Sequence, residues 1–219
     1  MAIAFCLFAG AALAAQFGPS QYPIRADDGD EITNFALSAE QSAQLTALRG
    51  VVAVGNLKGD VTVMQFYDLN CPFCREAAAD VDALVRADKN LKLVLVPYAV
   101  LSIQSAQGAL IEIGASKLAT PEQYLEFHRR IYAGRGRIDG PRAIVAAKGA
   151  GLDPQKVAAL GNTEESLNLL RQNADFGSAA KLVATPAYVI DGIAILGHPG
   201  LKALQKLVAA VRACGKVVC

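Results

Sequence analysis

Two cysteines separated by two residues, in the segment Cys71-Pro72-Phe73-Cys74, are the side chains of this sequence best suited to chemistry. They follow the apolar run 61–67 and open a stretch of mixed polar and apolar residues over 75–86, and this order predicts a strand followed by a helix. Unpaired backbone N–H groups and the helix dipole stabilise a thiolate on Cys71 at the helix N-terminus. Cys74 lies on the same helical face, close enough to attack a mixed disulfide formed at Cys71. The spacing therefore indicates reversible disulfide chemistry.

Length and composition narrow the class of protein. A chain of 219 residues is long enough for one well-packed domain, or for a small domain with a large insertion. The formal net charge is +1, and no basic run is interleaved with aromatic residues, so nucleic acid is excluded as a partner. The hydrophobic content of 53% is rich in Ala and Val, which favours many helices around a modest sheet.

Residues 2–15 are uncharged and apolar, and they end in Ala12-Leu13-Ala14-Ala15. This pattern is typical of the hydrophobic region and small-residue cleavage site of an export signal, and it is too short to span a bilayer. A buried N-terminal helix is the alternative interpretation. We predict a signal peptide at residues 1–15, which would take Cys6 with it, and a periplasmic location.

Cleavage there leaves four cysteines, an even number in an exported chain, where disulfides persist. Four cysteines allow three pairings. We choose the two local ones, Cys71 with Cys74 and Cys214 with Cys219, the second as a structural disulfide candidate. Zinc would need one pair folded against the other, so we predict redox chemistry with no metal site and no cofactor.

The order of predicted elements around the motif indicates the fold. Strand, helix and strand over 61–97 imply a parallel pair with a right-handed crossover, and the signals over 101–180 are helical throughout. Two short strands follow, joined by Asp191-Gly192, a strong hairpin turn, and an amphipathic helix comes last. Without the helical block, a thioredoxin-like domain remains over 51–100 and 181–213. The predicted fold class is α/β: a thioredoxin-like fold with an all-helical insertion.

Residues 16–50 are predicted to form a leader ahead of this domain. The part at 16–30 is polar and marked by Gly and Pro, so we expect it to be mobile. Ser38 begins a capping-box pattern with Gln41, which predicts a short helix over 38–49 that packs on the domain or on a second subunit.

Thr185-Pro186 is the second informative feature, because it comes just before the predicted strand 187–190. A proline is tolerated at the first residue of a strand, and an X-Pro bond can adopt the cis form. A cis bond would turn the backbone of Thr185 outward, to pair with an extended substrate chain beside Cys71. A trans proline that only starts a strand is the alternative. Downstream of a cysteine motif in this topology, we predict cis.

Two stretches of sequence together resemble the DsbA-like thiol–disulfide oxidoreductases of the bacterial periplasm. They are 66–74, Phe-Tyr-Asp-Leu-Asn-Cys-Pro-Phe-Cys, and 185–192, Thr-Pro-Ala-Tyr-Val-Ile-Asp-Gly. The resemblance extends over about residues 51–213, including the helical insertion. A Cys-x-x-Cys motif alone is weakly specific, but its combination with the later Thr-Pro-aromatic strand is strong.

The resemblance implies a role for each site residue. Cys71 would be the nucleophile, Cys74 the resolving cysteine, Pro186 the cis-proline facing them, and Thr185 the residue that binds substrate backbone. It also implies cysteine-containing exported proteins as substrates and a membrane redox partner that resets the cysteine pair. Oxidase, isomerase and reductase directions stay open, as does the oligomeric state.

Two positions depart from the pattern of that family. Gln65, six residues before Cys71, occupies a proton-relay position where many relatives carry a buried Glu. A neutral amide cannot carry a proton, so we expect proton transfer through water. The dipeptide Pro72-Phe73 also lacks a histidine that would stabilise the thiolate. We therefore predict a redox potential less oxidising than about −120 mV, to be measured by equilibrium with glutathione.

Other interpretations of the same residues lead to different functions. A thioredoxin-fold protein that is not an enzyme could sequester a soft metal such as Cu(I) through Cys71 and Cys74. An adaptor with an inert cysteine pair is a third possibility, disfavoured by the helix-terminal placement of Cys71. The two histidines are predicted to be structural, His128 as a surface or half-buried helix residue and His198 as a turn residue.

Overall fold

A six-stranded mixed sheet lies at the centre of the computed structural model, which describes residues 20–219. The predicted signal peptide lies outside the described residues. The strands are β1 (Asn34–Ala36), β2 (Val52–Gly55), β3 (Val61–Tyr67), β4 (Leu91–Pro97), β5 (Ala187–Ile190) and β6 (Ile193–Leu196). Their order across the sheet is β1-β6-β5-β3-β4-β2. Strands β3 and β4 are parallel, and the other neighbouring pairs are antiparallel.

Helices cover both faces of this sheet. Those in the described part of the chain are α1 (Ala39–Ala47), α2 (Pro72–Ala87), α3 (Ile103–Ser116), α4 (Pro121–Tyr132), α5 (Gly140–Gly149), α6 (Pro154–Gly161), α7 (Glu164–Ala179) and α8 (Leu201–Cys214). Helices α3 to α7 form the insertion between β4 and β5, which confirms the predicted thioredoxin-like fold with an all-helical insertion. Within residues 20–219, no helix has the length and apolar character needed to cross a membrane.

Alternation of side chains along β3 divides the core into two parts. Val63 and Tyr67 pack in the cluster that contains residues of α2 and α8. Phe66 lies on the opposite face, where its ring stacks on Phe176 of α7. By the same alternation, Gln65 shares the face of the sheet that is covered by α2.

The leader is tied to the domain more firmly than its sequence predicts. Strand β1 pairs with β6, so the leader supplies one edge of the sheet. Ile24 is 4% exposed, and the Asp27 carboxylate accepts hydrogen bonds from the N–H groups of Lys202 and Ala203 at the start of α8. The expectation of a mobile segment over 16–30 is therefore wrong for its described part. Local composition does not reveal partners that lie 175 residues away in the chain.

Helices α3 and α6 pack closely at a point where each helix carries a glycine, Gly114 in α3 and Gly161 in α6. A Cβ atom at Gly114 would collide with the carbonyl oxygen of Val157 and with the backbone of Gly161. We expect Gly114→Ala to lower the free energy of unfolding by about 1–3 kcal/mol, because the two helices would have to move apart. Urea denaturation followed by far-UV circular dichroism measures this. Gly140→Ala is the control, since its Cβ would have no neighbour nearer than 3.8 Å; equal stability of the two variants would contradict the prediction.

Candidate active site

The two cysteines of the motif lie at the N-terminus of α2. Cys71 is the N-cap residue and Pro72 the first residue of the helix, where the missing N–H of proline costs no helical hydrogen bond. The Cys71 side chain is 4% exposed and that of Cys74 is 1% exposed. The two thiols are not bonded to each other, so the structure describes the reduced pair.

The pKa values of these two thiols are shifted in opposite directions. A hydrogen bond from the Cys74 thiol is the main cause that lowers the pKa of Cys71, to about 6. Hydrogen bonds from the Thr185 side chain and from backbone N–H groups of α2 lower it further, against the effect of burial. Burial raises the pKa of Cys74 far above its ordinary value. At neutral pH, Cys71 is therefore a thiolate, the reactive form of cysteine, and Cys74 keeps its proton.

Thr185 and Pro186 stand beside this pair. The Thr185–Pro186 peptide bond is cis, and the Thr185 carbonyl oxygen accepts a hydrogen bond from the Cys71 thiol at 3.0 Å. Pro186 immediately precedes β5, which pairs with β3. The structure thus brings together the four residues that the sequence analysis placed at one site.

Gln65 is buried in β3, with 1% of it exposed. Its Nε2 donates a hydrogen bond to the hydroxyl of Tyr188 at 3.3 Å, and the two residues are register partners of β3 and β5. Its Oε1 is buried without a hydrogen-bond partner among residues 20–219. The amide therefore holds the Tyr188 hydroxyl in place.

Two further residues that the sequence analysis missed extend this contact to the protein surface. The Tyr188 hydroxyl lies 2.8 Å from Nδ1 of His198, and Nε2 of His198 lies 2.9 Å from an oxygen of Asp80 on α2. The side chain of His198 is 15% exposed and that of Asp80 is 37% exposed. The prediction of a turn residue at His198 overlooked this link, because Asp80 is 118 residues away in the chain.

The turn before Cys71 is fastened to the insertion. The Asp68 carboxylate accepts hydrogen bonds from the N–H groups of Val100 and Leu101, both at 2.9 Å, and from the Ser105 hydroxyl at 2.6 Å. The side chain of Asn70 donates to the carbonyl oxygen of Ile138 at 2.8 Å, in the loop between α4 and α5. The start of α3 and the loops beside the insertion helices therefore fix the position of the motif.

A second buried acid lies deeper between β3 and the insertion. Glu112 is fully buried and accepts a hydrogen bond from the Tyr67 hydroxyl at 2.9 Å. Burial raises the pKa of Glu112 to about 8. His128 is 4% exposed, more deeply buried than the sequence predicts, and burial lowers its pKa to about 4.

The remaining cysteine pair lies at the end of α8. A disulfide joins Cys214 to Cys219, with their Cα atoms 6.2 Å apart. Within residues 20–219, no group of three or more His, Cys, Asp or Glu side chains is arranged to hold a metal ion.

The lowered pKa of Cys71 predicts the pH dependence of its reactivity. We expect its alkylation rate by iodoacetamide to rise with pH around a midpoint of about 6. Cys74→Ala removes the principal hydrogen-bond donor and should move the midpoint upward, whereas Cys74→Ser keeps a donor and should move it less. Mass spectrometry across a pH series measures both. An unchanged midpoint in Cys74→Ala would refute the assigned cause.

The same shift links pH to the stability of the reduced protein. Because the pKa of Cys71 is lower in the folded than in the unfolded chain, its ionisation stabilises the fold fully above the ordinary thiol pKa. That contribution is lost as the pH falls through about 6.

The fold and this pair of cysteines define the class of thioredoxin-fold thiol–disulfide oxidoreductases. A family model described as thioredoxin, Thioredoxin_4, matches residues 48–210, and the chain belongs to this family. The thioredoxin-like family that the resemblance implies is thereby confirmed. No curated protein matches the chain.

Several solved structures share this fold. A thioredoxin-like oxidoreductase from Silicibacter pomeroyi DSS-3 is 29% identical, with a TM-score of 0.68 over 77% of this chain and 96% of that one. A periplasmic thioredoxin-like protein from Salmonella enterica serovar Typhimurium is 20% identical, with a TM-score of 0.69 over 80% and 97%. The thiol-disulfide exchange protein alpha-DsbA2 from Wolbachia pipientis is 17% identical, with a TM-score of 0.68 over 80% and 100%.

Proposed function

We propose that this protein is exported to the periplasm, where it exchanges disulfides with cysteine-containing exported proteins through Cys71 and Cys74. The observation that carries the proposal is the pairing of a Cys71 thiol whose pKa is about 6 with a buried, protonated Cys74. The structural neighbours add support, since they include a periplasmic thioredoxin-like protein and a thiol-disulfide exchange protein.

The exchange takes place in two steps. The Cys71 thiolate attacks one sulfur of a substrate disulfide, a bond forms between Cys71 and that sulfur, and the other substrate sulfur leaves as a thiolate. Cys74 then loses its proton and attacks the Cys71 sulfur, which releases the second substrate sulfur as a thiolate. Both substrate thiolates take up protons. The protein pair is oxidised by two electrons and the substrate disulfide is reduced; the reverse sequence oxidises a substrate dithiol.

Substrate binding would use the backbone of Thr185. An ionised Cys71 has no proton to donate to the Thr185 carbonyl oxygen, which is then available to an N–H group of an extended substrate chain, as in strand addition to a sheet edge. Large apolar side chains are exposed near this point: Phe73 is 61% exposed and Val183 is 59% exposed. They suit the apolar segments of incompletely folded proteins.

Three assays on the mature chain test the proposal: reduction of insulin, oxidation of reduced ribonuclease, and recovery of scrambled ribonuclease. We expect activity that is lost in Cys71→Ala and kept in a control without Cys214 and Cys219, which removes the other cysteine pair. Recovery of scrambled ribonuclease by an oligomer would identify an isomerase, and oxidation by a monomer an oxidase. Inactivity in all three assays, with or without tight Cu(I) binding, would refute the proposal.

A further inference from the structure

A line of hydrogen bonds leads from β3, in the core of the sheet, to the surface of α2. It runs from the Gln65 amide to the Tyr188 hydroxyl, then to the imidazole of His198, and ends at the Asp80 carboxylate. The donor–acceptor distances are 3.3, 2.8 and 2.9 Å. Gln65 and Tyr188 are fully buried, and Asp80 is in contact with solvent.

The donors in this line point in one direction. The Tyr188 oxygen accepts from the Gln65 amide, and its own proton can be donated to Nδ1 of His198 when that nitrogen carries no proton. In the tautomer that accepts at Nδ1, the imidazole carries its proton on Nε2, from where it donates to the Asp80 carboxylate. Tyr188 and His198 therefore each accept one hydrogen bond and donate another, which is the arrangement that proton transfer along a chain requires.

Cys74 needs such a route. Its thiol is 1% exposed, yet it must lose a proton to resolve a mixed disulfide and regain it in the reverse reaction. Cys74 and Tyr188 belong to the same core cluster between the sheet and α2. An ionised Cys74 raises the pKa of Tyr188, so the two groups lie within electrostatic reach of each other.

We propose that Tyr188, His198 and Asp80 form a proton relay between Cys74 and solvent. The proposal rests on the proposed disulfide exchange and assigns to these residues the proton transfer that Gln65 cannot perform. The Cys74 proton passes to the Tyr188 oxygen as the phenolic proton moves to Nδ1 of His198. The Nε2 proton of His198 then passes to Asp80 and on to water. The electron pair left on the Cys74 sulfur forms the bond to Cys71, and the transfers reverse when Cys74 leaves as a thiolate.

A relay makes a prediction that a purely structural role does not. It accelerates the step in which Cys74 gains or loses a proton, in both directions equally, and therefore leaves the equilibrium constant with glutathione unchanged. It also leaves the first step unchanged, because the Cys71 thiolate needs no proton transfer to attack. A structural link between β6 and α2 would instead alter stability, equilibrium and both steps together.

The experiment separates the two steps by mass. The reduced protein is mixed with glutathione disulfide, and samples are quenched with acid at set times. Mass spectrometry then measures the fractions of the reduced, glutathionylated and internally oxidised forms. Mass replaces fluorescence here because the chain has no tryptophan. We expect His198→Gln and Tyr188→Phe to slow resolution on the order of tenfold or more, and to leave the rate of glutathionylation as in the unmodified protein.

Two control variants remove the same chemical groups elsewhere. Tyr98→Phe removes a phenol hydroxyl from the opposite face of the sheet, and Glu76→Gln removes an exposed carboxylate from α2, one turn before Asp80. Both should resolve the mixed disulfide at the unmodified rate, whereas Asp80→Asn should slow it. Equal slowing in Glu76→Gln and Asp80→Asn would overturn the relay in favour of a general charge effect.

Chemical rescue provides an independent readout. His198→Ala leaves space at a partly exposed position, and imidazole added to the buffer should restore its resolution rate in proportion to concentration. Resolution at the unmodified rate in Tyr188→Phe and His198→Gln would overturn the relay while leaving the proposed function intact. Failure of the unmodified protein to exchange with glutathione disulfide would overturn the proposed function itself.

Discussion

Replacing Cys71 with serine is expected to lower the rate of disulfide exchange by roughly a thousandfold or more, which is the scale of loss for a removed nucleophile. The hydrogen bonds that lower the pKa of the Cys71 thiol to about 6 cannot ionise a hydroxyl group at neutral pH. Cys74 cannot substitute as the attacking sulfur, because only 1% of it is exposed and because burial raises its pKa so that the thiol stays protonated. Insulin reduction measures the loss.

The matched variant, Cys74→Ser, should behave in a different way. It leaves the Cys71 thiolate in place, so the first step proceeds and a mixed disulfide accumulates that the protein cannot resolve. Mass spectrometry after incubation with glutathione disulfide should find one bound glutathione per chain, on Cys71. Turnover of Cys74→Ser at the unmodified rate, or glutathione that accumulates on Cys74 in the variant Cys71→Ser, would reverse the two assigned roles.

Local sequence patterns predict the parts of the site whose structure has a local cause. The cysteines lie where an apolar run gives way to a helical pattern. The Cys74 thiol, which is the main cause of the lowered pKa of Cys71, and the backbone N–H groups that add to it both belong to the helix that begins at that junction. Thr185-Pro186 is identified by its position before a short apolar strand. The buried position of Gln65 follows from its place inside the apolar run of β3, which is buried on both faces from Val63 to Tyr67.

Contacts between distant segments are the part that the sequence does not predict. The link between His198 and Asp80 depends on how α2 packs against the turn after β6, and no spacing within either segment signals it. Asp27 likewise caps α8 from the leader, which by composition alone is predicted to be mobile. The insertion is predicted as a set of helices, but its attachment to the motif through Asp68 depends on tertiary packing.

The attachment of the insertion to the motif leads to the second large prediction. Asp68 is 1% exposed, and its carboxylate accepts hydrogen bonds from the N–H groups of Asn70, Val100 and Leu101 and from the Ser105 hydroxyl. Asp68→Ala leaves those donors without their acceptor. Since each unsatisfied donor costs about 1–3 kcal/mol, we expect the free energy of unfolding to fall by about 3 kcal/mol or more.

The conservative variant Asp68→Asn distinguishes the loss of hydrogen-bond acceptors from the loss of the whole side chain. Asp68→Asn keeps one oxygen at the same position and should retain part of the hydrogen bonding, so its stability should lie between those of the unmodified protein and Asp68→Ala. Urea denaturation of the reduced proteins, followed by far-UV circular dichroism, measures all three. Because the carboxylate holds the turn before Cys71, the alkylation of Cys71 by iodoacetamide should have an altered pH midpoint in Asp68→Ala. A loss of stability within about 1 kcal/mol would show that Asp68 does not anchor the insertion to the motif.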